Sequence, residues 1–197
     1  MKEHGIIFNT EMVRAILDGR KTQTRRIVKH QRHPSQEIKL CDDGFFHWSM
    51  IGAEKPLSPI NYEYGRVGDR LWVRETFQVG LCTKSSFAYK ATHKPSDLDE
   101  GWDEVIKWRP STQMPRWASR ITLEITDVRV ERLQDISKQD AVSEGAPPGH
   151  HSIDVISKRF GFPDFSRSWF AQIWMDIYGE DNWAANPWVW VIEFKRV

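Results

Sequence analysis

The segment that most restricts the fold is the closing run WVWVIEF at 188–194. Successive side chains of a strand point to opposite faces, so a run that is apolar at both parities needs cover on both sides. The run therefore predicts a central or barrel strand, and the rest of the chain has to supply two covering layers. Hydrophobic residues are 40% and charged residues 28% of the 197 positions, which is ordinary globular usage and suits one domain with long loops. The ten tryptophans serve the same end, since each is a large apolar body with one N–H donor to satisfy.

The remaining elements are short. GIIFN at 5–9 predicts a strand, and Thr10 then stands at an N-cap position with Glu11 in the first turn. Met12, Val13, Ile16 and Leu17 mark one face of the helix, Gly19 ends it, and KTQTRRIV at 21–28 continues as a strand. GDRLWVRETF at 68–77 reads as a further strand that FAYKA at 87–91 can join. Between Ser119 and Leu133 the apolar positions run Ile121, Leu123, Ile125 and then Val128, Val130, and the change of parity predicts a bulge near Thr126–Asp127. Ser137 with Asp140 three residues on starts a helix of two turns at most, which GAPPG at 145–149 must stop. A third helix follows SRS, with the stripe Trp169, Ile173, Trp174 and Ile177 and Gly179 as its terminator. The polar stretch 30–65, with FFHW as a hairpin strand, and the stretch 92–113 read as insertions. Strands dispersed among a few small helices predict an α+β fold, a mixed barrel with flanking helices, and argue against a doubly wound sheet.

A net charge of +1 gives no global basic field, so an anionic partner must meet a local patch. Two cysteines, Cys41 and Cys82, form no disulfide framework, and no apolar run suggests a signal peptide or membrane span, which leads to the expectation of a cytoplasmic protein with free thiols and no membrane partner. Cys41, Cys82, His30, His33 and His47 lack the short ligand spacings of zinc modules, so no metal or cofactor is expected.

Chemistry concentrates after the first helix, where Lys21, Thr22, Thr24, Arg25 and Arg26 gather an amine, two hydroxyls and two guanidiniums. A lysine among cations is a candidate base for a threonine nucleophile, provided Lys21 lies in the turn and not in the strand, because residues three apart on a strand face opposite ways. The competing reading makes the threonines β-formers and the cations a solvated edge, and spacing alone favours it. Glu144, at a helix end, is free to orient an amine or simply to face solvent. Trp72 and Arg74 share a strand face and suit either base stacking or a core ring under an aliphatic stem; Glu75 takes the other face, so one of the two charges should line a cleft and the other meet solvent.

ILDGRKTQTRR at 16–26, GDRLWVRE at 68–75, DAVSEG at 140–145 and WVWVIEFKRV at 188–197, in this order, resemble the signature segments of ASCH-domain proteins. MPRWASRITLEITDVRVERLQDIS at 114–137 is similar to the longer phage and prophage members, with 30–65 and 92–113 as insertions in a single domain spanning 1–197. The resemblance implies a PUA-like β-barrel whose basic cleft takes RNA or a modified nucleoside, or DNA. In compact members it implies amide hydrolysis of acetylated cytidine, with a catalytic set that falls here on Lys21, Thr24 and Glu144. The alternatives are a ribonuclease, a non-catalytic module with Arg25, Arg26 and Arg74 on phosphates and Trp72 and Glu75 beside a base, or a structural protein whose tryptophans meet a partner.

Overall fold

The computed structural model describes residues 1–31, 35–79, 87–94, 106–147, 161 and 164–197. Its strands are β1 (Glu3–Ile7), β2 (Gln23–Ile27), β3 (Gln36–Leu40), β4 (Phe46–Met50), β5 (Ser58–Pro59), β6 (Arg70–Arg74), β7 (Phe77–Val79), β8 (Phe87–Tyr89), β9 (Thr122–Arg132) and β10 (Trp188–Arg196). The helices are α1 (Thr10–Leu17), α2 (Lys138–Ser143), α3 (Phe165–Tyr178) and α4 (Glu180–Ala184). The architecture is α+β. The main sheet runs β1-β6-β9-β10-β2, so β10 lies inside it as its sequence requires. Among the described residues this sheet ends at β1 and β2 and is open; the closed barrel expected from the sequence is not formed, because closure needs a ladder between those two end strands.

By internal contacts the chain divides into two compact units, Met1–Thr22 with Tyr64–Asp127 and Glu193–Val197, and Gln23–Glu63 with Val128–Ile192. In the first, β1 pairs in parallel with β6, Glu3↔Arg70 through Ile7↔Arg74, and β6 pairs antiparallel with the start of β9, Leu71↔Leu123. Ile6, Leu71, Val73, Leu123 and Ile125 are buried. Thr126 and Asp127 are both exposed, so the inward alternation of β9 breaks where the parity change predicts. The N-cap of α1 is Asn9, one residue before the expected Thr10; its side chain accepts from the Met12 N–H at 2.8 Å. A smaller sheet, β7 with β8, packs Phe77 on Met114 and Ala118, so the turn that follows the 92–113 stretch belongs to a core.

In the second unit the two faces of β10 meet different layers. Val189 and Val191 join Leu133, Ile136, Ala141, Phe170 and Trp174, the cluster that binds α2 and α3. Trp190 takes the other parity and meets Phe46 at 5.0 Å and Tyr62 at 4.5 Å between ring centroids. The insertion at 30–65 thus supplies the second cover: it folds into the antiparallel sheet β3-β4-β5, with Trp48 buried. The packed stripe of α3 is rotated from the expected one. Phe170, Ala171 and Trp174 are buried, Trp169 and Tyr178 lie against the cluster, and Ile177 is 46% exposed.

Candidate functional site

The approach to the site is set by the end of α1. Gly19 adopts φ +75, a conformation that L side chains rarely adopt, and the Arg20 and Lys21 N–H groups both donate to the Ala15 carbonyl at 2.9 Å. Lys21 is therefore in the turn and outside β2, the placement that the lysine–threonine chemistry demands. Its side chain is buried, with Nζ 5.8 Å from the centre of the Phe8 ring. Because the Gly19, Arg20 and Lys21 N–H groups are all bonded to α1 carbonyls, this turn offers no backbone donors to a ligand.

Thr24 is also buried, inside β2. The pleat puts Gln23, Arg25 and Ile27 on one face, where Ile27 packs on the α2–α3 cluster and the Arg25 guanidinium lies 5.7 Å from the Phe170 ring. Thr24 and Arg26 share the opposite face, and Arg26 is half-buried.

The short helix α2 begins with the capping box legible in the sequence: Asp140 N–H donates to Ser137 Oγ at 3.0 Å, and the Ser137 N–H donates back to the Asp140 carboxylate. Asp140 and Glu144 stand one turn apart on the same side, an arrangement that repels unless a cation lies between them. Arg25 is that cation. Its side chain is 0% exposed and binds Glu131 at 2.9 Å, Glu144 at 3.2 Å and Asp140 at 3.5 Å. Arg129 reinforces the set, reaching Glu131 at 2.6 Å, Asp140 at 2.8 Å and the Gln23 side-chain oxygen at 3.3 Å. Burial pushes the Asp140 carboxyl upward, but the Ser137 hydroxyl, Arg25 and Arg129 outweigh it and hold the group below the usual carboxylate range.

Arg25, expected on a phosphate, is instead the centre of a buried ion-pair network, and Glu144 faces that network and not solvent. Trp72 and Arg74 do come together, 5.4 Å from guanidinium carbon to ring centre, but the ring lies over Gly5 of β1 and Arg74 donates to the Thr112 carbonyl. Glu75 is buried and held by Arg120 through two bonds of 2.9 and 3.0 Å, so neither member of the Arg74–Glu75 pair simply meets solvent.

Arg129, Glu131, Asp140 and Gln23 are the members that sequence reasoning missed. The available signal was the pattern VRVER at 128–132, which puts two opposite charges on one face of a strand too apolar to lie at a surface. Among the described residues no group of three or more His, Cys, Asp or Glu is placed to hold a metal; His33 and Cys82 lie outside them. No helix among them is long and apolar enough to cross a membrane. Comparison with family models, curated proteins and solved structures gives no significant match.

Proposed function

We propose that this chain is an ASCH-type protein of PUA-like fold that hydrolyses the acetyl amide of an acetylated cytidine, free or within RNA. The observation that carries the reading is the 3.2 Å ion pair between Arg25 and Glu144, formed across 119 residues of sequence. It fixes the DAVSEG segment against the strand of GRKTQTRR on the face opposite to Thr24, so Glu144 holds in place the strand that carries the proposed nucleophile. Burial is consistent with an enclosed site: Lys21 and Thr24 are each 2% and Glu144 5% exposed. A module that only clamps phosphate would present Arg25 outward, and its enclosed guanidinium weighs against that alternative.

In the proposed reaction Lys21, in its neutral form, accepts the Thr24 hydroxyl proton as the oxygen bonds to the acetyl carbon. The carbon–nitrogen bond then breaks, and the exocyclic amine leaves as cytidine with that proton, returned by Lys21, while Glu144, bonded to Arg25 on the opposite strand face, serves as a positioning residue. Water cleaves the resulting threonine ester, which releases acetate and restores the hydroxyl. The turn N–H groups are already bonded, so stabilising the oxyanion falls to a side chain, and Arg26 shares the strand face of Thr24. Acid-quenched protein incubated with acetylcytidine, digested and analysed by mass spectrometry, is expected to carry an acetyl group on Thr24. Turnover without that adduct in rapid-quench samples removes the threonine from the mechanism.

A further inference from the structure

The β7–β8 hairpin and the turn at 111–118 build a second feature, wholly within the first unit and independent of Lys21, Thr24 and Glu144. Register places Tyr89 opposite Phe77 and Phe87 opposite Val79, so both aromatic rings of β8 lie on the face packed by Met114 and Ala118. Tyr89 is the fixed member. Its hydroxyl donates to the Ala118 carbonyl at 2.9 Å, and the Arg120 guanidinium lies 4.0 Å from its ring centre while clamped to Glu75. Phe87 lies nearly parallel to Tyr89, with 18° between planes and centroids 6.1 Å apart, and Trp117 meets Phe87 edge-on at 5.8 Å.

The outer two rings are not covered: Trp117 is 68% and Phe87 38% exposed. An indole held by its neighbours and left open to water loses little rotamer entropy on binding, which is what a stacking surface requires.

The charged residues of the two stretches that carry these rings are of one sign. Stretches 87–94 and 106–120 contain Lys90, Lys94, Lys107, Arg109, Arg116 and Arg120 and no carboxylate. Arg116 is bonded to Glu3 and Arg120 to Glu75, while Lys90, Lys107 and Arg109 are exposed and make no ion pair among the described residues. Arg109 is bridged to Phe77 and shares its face. The intervening residues 95–105 carry five acids in the sequence, so net charge of the segment does not select the ligand; the open rings beside local cations do.

We infer that Trp117 and Phe87, backed by Tyr89 and with Arg109 and Lys90 on the same two stretches of chain, form a base-stacking platform for single-stranded nucleic acid. Every base has a face to stack and every nucleotide a phosphate to neutralise, so the platform tolerates sequence and rejects duplex, whose bases are already stacked.

The test is fluorescence-anisotropy titration of a labelled oligouridylate, its DNA counterpart and a duplex of equal length. Both single strands are expected to bind and the duplex to bind more weakly. Trp117→Ala, at an exposed position that does not threaten folding, is expected to weaken binding about tenfold or more. Lys90→Gln with Arg109→Gln should lower the magnitude of the salt slope by about 1.4, the value for two phosphate contacts on a single strand. Thr24→Val should leave the affinity unchanged, which separates this surface from the proposed hydrolysis. Absence of binding, equal binding by Trp117→Ala, or preference for duplex would each overturn the inference.

Discussion

Arg25→Met is expected to destabilise the protein by about 3–5 kcal/mol, the cost of removing one partner from a buried ion-pair set. The size follows from the geometry. Methionine keeps most of the volume, so the cavity term is small and the electrostatic term dominates. Glu131 and Asp140, with side chains 25% and 20% exposed, regain water and keep Arg129 at 2.6 and 2.8 Å. Glu144, with a side chain only 5% exposed, regains the least and bears the largest share of the loss. For a chain of 197 residues each kcal/mol corresponds to about 2–4 °C, so the midpoint of thermal unfolding should fall by about 6–20 °C. The loss also has a pH signature through Asp140, whose carboxyl Arg25 helps to hold down: that contribution is lost from the wild type as pH falls through the lowered folded value, so the gap between variant and wild type narrows in acid. Urea unfolding at neutral and at acid pH, followed by tryptophan fluorescence, measures both effects. A loss below about 1 kcal/mol at neutral pH, the level of an exposed pair, would refute the buried network as an energetic unit.

Gly5→Ala places a Cβ 2.8 Å from the Trp72 ring and 3.3 Å from Arg74, and should cost about 1–3 kcal/mol by calorimetry; an unchanged melting temperature contradicts the close approach of β1 and β6. The depressed Asp140 carboxyl contributes stability that is present above the ordinary carboxylate value and is lost as pH falls through its lower folded value. Ser137→Ala removes a cap and the hydroxyl that lowers this group, so it should cost about 1 kcal/mol near neutrality and less in acid. A pH series of melts with a constant difference between Ser137→Ala and wild type would sever the two effects.

What was legible in the sequence was mostly local or periodic. The two-faced apolar run of β10 demanded two covers, and both are present. The cap at Ser137, the turn at Gly19 and the broken alternation at Thr126–Asp127 lie where their residues indicate, because each depends on neighbours a few positions away. The stripe of α3 was misjudged at Ile177, since periodicity names a helix face only to within one residue's rotation and Phe170 and Trp174 decide the packed side. Strand pattern placed β2, β6, β9 and β10 in one sheet without revealing whether its ends meet. The charge network was the least legible part. Arg25 finds Glu131 and Glu144 across 106 and 119 residues, and a charged side chain carries no mark of the distant partner that will neutralise it.

The most direct test of the proposed function is to incubate the pure protein with acetylcytidine and follow cytidine and acetate by chromatography. The account predicts equal amounts of the two products, turnover reduced to background in Thr24→Val and Lys21→Met, and full turnover of the free nucleoside in Trp117→Ala. Folded wild-type protein that releases no cytidine, or Thr24→Val that matches the wild-type rate, would contradict it.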